Sequence, residues 1–224
     1  MMTEIIEATT EAELIDAVRD ADDAHRAWRF HAAQQPSSDT AADRLKAADR
    51  LIVVRTHGWS INTDGCTSDD LAFCGAVQAT FAGGEPWDRF VEMAVDNGWV
   101  GVEALSGIGG SVASATITNV SAYGQQACDV VASVRTWDRQ HQRRQTFAAA
   151  DCGFGPRRSR FSPAAGERNG RYVVLEVAFL LKQGDLSTPI RDPRLAGILG
   201  LPLGQRAPLT HVRQAVLADP DPWR

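Results

Sequence analysis

Residues 105–124, LSGIGGSVASATITNVSAYG, constrain this chain more than any other stretch. Every side chain there is small or aliphatic except Asn119 and Tyr123. A run so rich in Gly and Ser, and free of charge, makes a poor amphipathic helix and a poor flexible linker. Glycine opens positive φ and lets a backbone approach a neighbour closely. Leu105, Ile108, Val112, Ile117 and Val120 are interleaved with the small residues, so the stretch is expected to be buried. Buried backbone without large side chains leaves room for a flat ligand or for a second backbone. A tight core crossover of strands and turns is the alternative reading.

Around this stretch, composition sets the bounds. At 224 residues the chain holds one domain or two small ones, enough for a real core. Hydrophobic residues at 44% and charged residues at 23% are ordinary for a soluble globular protein. The net charge of −5 argues against general binding to nucleic acid or to an anionic membrane. No segment reads as a spanning helix. The start, MMTEIIEATTEAEL, lacks the basic region and apolar core of a secretory signal. The four cysteines, Cys66, Cys74, Cys128 and Cys152, have no CxxC spacing, so no metal site is expected. Reduced thiols in a cytoplasmic protein are the plain expectation.

Pattern then places the elements. Glu4 to Ala8 reads as a strand. Thr10 and Glu13 form a capping box, and Leu14, Ile15, Val18 and Ala21 share one helical face as far as Asp23. Residues 29–50 carry a polar turn and a weak helical pattern. Leu51 to Thr56 is a β-branched strand. His57 to Trp59 and Asn62 to Gly65 read as turns, and Phe73 to Phe81 as a strand. Pro86 opens a helix with the core stripe Trp87, Phe90, Val91 and Ala94, closed by Gly98. Val130 to Trp137 is a strand, HQRRQ a solvated turn, Asp151 to Phe161 a basic loop, and Arg171 to Lys182 a long strand. Two short helices follow, Asp192 to Leu199 and Thr210 to Leu217, the second capped by Thr210. The pattern is α+β or α/β.

The glycine-rich run resembles the flavin-contacting segment of the UDP-N-acetylenolpyruvoylglucosamine reductase (MurB) family, of the form LSGIPGxVGxAPIQNxGAYG. Other motifs recur in the family's order: EATTEAELIDAVRDA, AGGEPWDRFVEMAVDNGWVGVEALSG, DCGFGPRRSRF, RYVVLEVAFLL and PIRDPRLAGILGLP. The resemblance implies an α+β, VAO/PCMH-type FAD-binding fold of two α/β lobes. The lobes are expected at residues 1–70 and 71–185, with a short helical extension at 186–224. It also implies an NADPH-reduced FAD acting on an enolpyruvyl sugar nucleotide.

Several positions depart from the family pattern. AAQQPSSDTAAD stands where a GGGSNLL phosphate loop is expected, so a backbone cradle for pyrophosphate is not available from that segment. Pro156-Arg157 replaces a Tyr-Arg pair. Gly109 and Thr116 stand at two prolines, Thr118 at a Gln and Ser121 at a Gly. The third, C-terminal lobe, with its serine proton donor and glutamate, is expected to be missing. The resemblance then leaves Arg157 as the stabiliser of an enolate. From the residues themselves, Glu103 reads as a candidate acid or a surface carboxylate. Tyr123 reads as a packed ring with a satisfied hydroxyl or a proton donor. Asn119 reads as a backbone brace or a ligand contact. His57, Trp59 and Trp28 read as cleft-lining or simply packed.

Three functional readings stay open. One is a flavoprotein with another substrate. Another is a cofactor-free cyclase or isomerase using the vacated cleft for a small apolar molecule. The third is a non-catalytic homologue that holds a ligand or partner. The expected reading is a repurposed fold without the reductase activity, binding either no cofactor or FAD. Its cleft would be formed by Gly107, Ile108, Gly109, Gly110, Ser111, Thr116, Ile117, Thr118 and Asn119. A small molecule is the expected partner, with no nucleic acid or membrane, and a homodimer would cover the edge left by the missing lobe.

Overall fold

The computed structural model describes residues 4–25, 28–32, 50–62, 76–165, 167 and 169–219. Residues 33–49, where the family's phosphate loop would fall, lie outside that set. So do most of the Asn62–Gly65 turn, Cys66, Cys74 and the start of the expected Phe73 strand.

Two sheets organise the chain. The first is parallel and three-stranded, in the order β1-β3-β2, from β1 (Glu4–Ala8), β2 (Trp28–Ala32) and β3 (Arg50–Val54). α1 (Glu11–Asp23) crosses over from β1. Its start is fixed as expected, with the Thr10 hydroxyl accepting from Glu13 N and the Glu13 carboxylate accepting from Thr10 N. β2 was not legible in the sequence. Trp28 sits under α1, 3% exposed, and its Nε1 donates to Asp22 Oδ1 at 2.9 Å.

The second sheet is antiparallel. Its strands are β4 (Trp59–Asn62), β5 (Ala76–Ala82), β6 (Trp99–Val100), β9 (Val131–Asp138), β10 (Arg143–Ala148) and β11 (Tyr172–Gln183). Its order is β10-β9-β11-β5-β4, with β6 also pairing β11. The sheets therefore divide between Val54 and Trp59, earlier than a boundary at residue 70. The HQRRQ stretch runs into β10 instead of ending as a turn. Only Phe147 of that strand is buried, so its exposed Arg and Gln residues hide the strand signal.

α2 (Trp87–Asp96) packs its stripe on this sheet. Phe90 stacks on Phe179 with ring centroids 4.3 Å apart, and Phe81 and Trp87 meet Phe90 edge-on. Burying each such ring stabilises the fold by roughly 2–3 kcal/mol. The glycine-rich run forms a short helix, α3 (Val112–Ile117), contrary to its reading as a poor helix. Ser111 and Ser114 cap it reciprocally, and Val112, Ala115 and Thr116 are buried beneath it. A small hairpin follows, β7 (Ser121–Ala122) and β8 (Gln125–Gln126). The chain closes with α4 (Pro193–Leu199), capped by Asp192, and α5 (Leu209–Ala218). Thr210 is not the cap of α5. Pro208 holds that position and no side chain caps the helix, because Leu209 is already helical and buried.

The two sheets are locked together. Leu14, Ile15 and Val18 of α1 share a core with Trp137, Val173 and Leu175 of the second sheet. Arg135 of β9 bridges Glu11 at 2.7 Å and Glu176 at 3.0 Å, and Arg139 grips Asp22 at 2.6 Å.

Candidate functional site

A cleft of about 360 Å³ opens where the lobes meet. Leu14, Phe30 and Val54 form its first-lobe wall. Ser111, Ala113, Ser114 and Ile117, along one side of α3, form the facing wall. Tyr172, Val173 and Val174 of β11 line it between them. The α3 wall comes close because its residues are small. Gly83 lies directly behind: a Cβ there would stand 2.8 Å from Val174 O and 3.2 Å from Ala113 Cβ. Gly83 N also donates to Leu175 O, and Ala113 N to Gly83 O, which pins α3 to the strand. The cleft is largely apolar, with Ser111, Ser114 and Asn169 as polar lining and Arg29 as its one charged residue. The Arg29 Nε is buried and has no hydrogen-bond partner among the described residues. Such an atom is costly to leave unpaired and points to a ligand acceptor.

Only Ser111 and Ile117 of the nine expected cofactor contacts line this cleft. The others serve the segment itself. Gly107 N donates to Asp88 Oδ1 at 2.6 Å, and Gly110 O accepts from Trp87 N. Gly110 has φ +103, and a Cβ there would strike Ser114 Oγ at 2.6 Å, so glycine is required. Asn119 is the backbone brace: Nδ2 donates to Gln126 Oε1 and Gly155 O, and Oδ1 accepts from Cys128 N. Ile108 packs against the core, and Thr116 is buried without a partner for its hydroxyl. Thr118 is exposed and donates back to Ser114 O. Of the departures from the flavin pattern, Gly109, Thr118 and Ser121 are exposed and none of the four lines the cleft. Sequence reasoning missed Ala113, Ser114, Arg29, Phe30 and Tyr172. The small-residue helix, at i, i+2, i+3 and i+6 from Ser111, was the available signal for the first two.

The three expected catalytic side chains do not converge there. Arg157 is exposed, in a tight turn with φ +54, and is not on the cleft wall. Glu103 is not on the surface. It is fully buried, and its carboxylate accepts from Gly101 N at 2.7 Å, Gln125 Nε2 at 2.8 Å and Thr188 N at 3.1 Å. Tyr123 donates to Asp219 Oδ2 at 2.6 Å. Burial first, and then that donation to a carboxylate, push its hydroxyl well above the usual tyrosine range. Glu103 and Tyr123 both line a second cavity of about 400 Å³, beneath α4 and α5.

Trp28 is packed, whereas His57 and Trp59 edge a hollow beside the Arg135–Glu176 pair. Cys128 and Cys152 are unpaired. Burial pushes the Cys152 thiol up to about 11, which makes it a poor nucleophile. Among the described residues no group of three His, Cys, Asp or Glu is placed to hold a metal, and no helix is long and apolar enough to cross a membrane.

Comparison with known proteins bears on the family and the fold. Residues 3–142 match the family model described as FAD binding domain. The chain belongs to the FAD binding domain family. Within that family its similarity runs to reductases. It is 43% identical over 151 residues to the UDP-N-acetylenolpyruvoylglucosamine reductase of Cutibacterium acnes, covering 67% of this chain and 39% of that protein. It is 36% identical over 234 residues to the same enzyme of Salinispora arenicola, covering 99% and 60%. The crystal structure of the Thermus caldophilus MurB superposes with a TM-score of 0.51 at 18% identity, covering 81% of this chain and 56% of that one. The FAD-binding, VAO/PCMH-type fold and the MurB relationship therefore stand. The chain spans roughly half the length of the curated relatives it matches.

Proposed function

We propose that the cleft between the lobes takes the isoalloxazine ring of FAD, and that the chain works as a flavin-holding module. The observation that carries this reading is the cleft itself. Phe30 and Ala113 both line it, most of its lining is apolar, and it is supplied with the Arg29 Nε donor, which has no partner among the described residues. A fused tricyclic ring with polar atoms along one edge suits such a slot. Bound there, the flavin would supply two-electron transfer. The residues of this chain would position it: Ser111 and Ser114 on one face, Phe30 and Val54 on the other, and Arg29 Nε toward a ring acceptor.

The same reading leaves out enolpyruvyl-sugar reduction by this chain. Arg157, the residue that the resemblance offers as enolate stabiliser, is not among the residues lining the cleft, and Glu103 and Tyr123 line the other cavity. The cofactor-free cyclase or isomerase has less support. Tyr172 is the one side chain of the described cleft lining suited to acid–base work, with no His, Asp, Glu, Lys or Cys beside it to pair with. The apolar wall does favour, as a second reading, a site that merely holds a small apolar molecule. Titration with FAD separates the two. Quenched flavin fluorescence and a shifted visible band, lost in Ala113→Trp, support the first. No flavin response, with an apolar fluorescent probe bound and displaced by the same substitution, supports the second. Turnover of the enolpyruvyl sugar nucleotide by the chain alone would overturn the exclusion of the reductase step.

A further inference from the structure

The second cavity is the feature that the flavin reading does not use. At about 400 Å³ it is as large as the cleft, shares no lining residue with it, and is lined by Leu195 and Val212 of the C-terminal helices. Its apolar wall comes from Val130, Leu180, Ile190 and Leu195. Its base is held rigid by the Glu103 carboxylate. That one group ties Gly101, Gln125 of β8 and Thr188 of the β11–α4 connection to a common point. Gln125 is itself fully used, since its Oε1 accepts from Ala104 N and its Nε2 also donates to Thr188 Oγ1. The hydroxyl of Thr188 therefore keeps its proton free to donate.

Charge is distributed unevenly around this cavity. Lys182, Arg191 and Arg206 all line it, are exposed, and have no ion-pair partner among the described residues. Two carboxylates also line it. Glu103 is occupied by its three donors, and Asp129 Oδ2 accepts from Gln126 N. Three cations against two committed carboxylates leave a local excess of positive charge, in a chain whose net charge is −5. Cations gathered at the mouth of an apolar hollow with a fixed base attract an anion that carries an apolar body.

We infer that this cavity binds a small anionic metabolite, with a phosphate or carboxylate facing Lys182, Arg191 and Arg206 and an apolar portion against Leu180 and Ile190. The site is distinct from the flavin cleft, and its occupancy does not depend on flavin binding.

Calorimetric titration of the purified chain with phenyl phosphate, benzoate and neutral benzyl alcohol tests it. Phenyl phosphate or benzoate should bind and benzyl alcohol should not, with affinity falling as salt rises. Saturation by phenyl phosphate but not benzoate assigns the phosphate class, and the reverse assigns the carboxylate. Arg191→Ala and Arg206→Ala should each weaken binding about tenfold, the cost of one charge-assisted contact. Both residues are exposed, so the variants should keep the wild-type melting temperature and the wild-type response to FAD. Amide shifts in nuclear magnetic resonance should centre on Gly124 and Thr188. The inference is overturned if neither anion binds at millimolar concentration. It is equally overturned if the chain carrying both Arg191→Ala and Arg206→Ala binds as wild type, or if the shifts map to Ser111 and Tyr172.

Discussion

Asp88 of α2 and Arg213 of α5 form a two-bonded ion pair, Nη1 to Oδ1 at 2.7 Å and Nη2 to Oδ2 at 2.9 Å. The same Oδ1 accepts from Gly107 N, so one carboxylate fastens the glycine-rich segment to the C-terminal helix. Burial alone would raise the Asp88 carboxyl, but the Arg213 and Gly107 donors outweigh it and hold it below the usual range. Its folded value is depressed, so its contribution is complete above the ordinary Asp range and is lost as pH falls through the lowered value. Arg213→Ala should cost about 1–2 kcal/mol at neutral pH, after allowance for partial exposure. That deficit should shrink on acidification. Thermal melts of both proteins from neutral to acidic pH check this, and a constant deficit would refute the role of the pair.

Glu103 is a structural carboxylate. Glu103→Ala should remove the acceptor of Gly101 N and Thr188 N and one of the two acceptors of Gln125 Nε2, and destabilise the chain by about 2–3 kcal/mol. Glu103→Gln keeps the shape and one acceptor oxygen but turns an amide NH2 toward an existing N–H donor, and should recover only part of the loss. Urea unfolding of the three proteins provides the comparison. A fully stable Glu103→Ala would show that the network carries little.

Tyr123 offers a spectroscopic prediction. The chain has two tyrosines, Tyr123 and Tyr172. Absorbance of the tyrosinate should show one group resisting ionisation well above the usual range, and Tyr123→Phe should remove that component. Because the folded value is raised, the bond to Asp219 contributes fully below the unfolded tyrosine value and is lost as pH rises through the folded one. Tyr123→Phe should cost about 1 kcal/mol at neutral pH.

The cleft wall depends on small residues. Gly83→Ala would put a Cβ 2.8 Å from Val174 O and 3.2 Å from both Leu175 O and Ala113 Cβ, and the strand carbonyls leave little room to yield. It should lower the melting temperature and weaken FAD together. Ala113→Ser adds one polar atom at the wall and should leave stability unchanged while altering FAD affinity by a few-fold at most. Melting curves and flavin fluorescence titrations of the two variants read this out. Unaltered FAD affinity in Gly83→Ala would place the ring elsewhere.

Local rules succeeded where local chemistry decides. The Thr10–Glu13 capping box started α1, and the stripe of Trp87, Phe90, Val91 and Ala94 faced the core. They failed where the chain borrows its environment. β10 is nearly all polar and is a strand because β9 pairs it along its length. α3 is short, with β-branched Val112, Thr116 and Ile117 among its six residues, and exists because Ser111 and Ser114 cap each other and β11 lies beneath it. Glu103 looked like a surface acid because nothing nearby in sequence reveals Gln125 and Thr188 as its partners.

By itself, the order of motifs in the sequence determined the family, the two-lobe FAD-binding fold and the place of the glycine-rich segment at its centre. The tertiary structure decided what that segment does. It turned Gly107, Gly110 and Asn119 into braces, left Ser111, Ala113, Ser114 and Ile117 as the wall, and separated Glu103 and Tyr123 into another cavity. The reason is physical. A motif records which backbone must be small or left-handed, whereas the direction a side chain faces is set by partners tens of residues away.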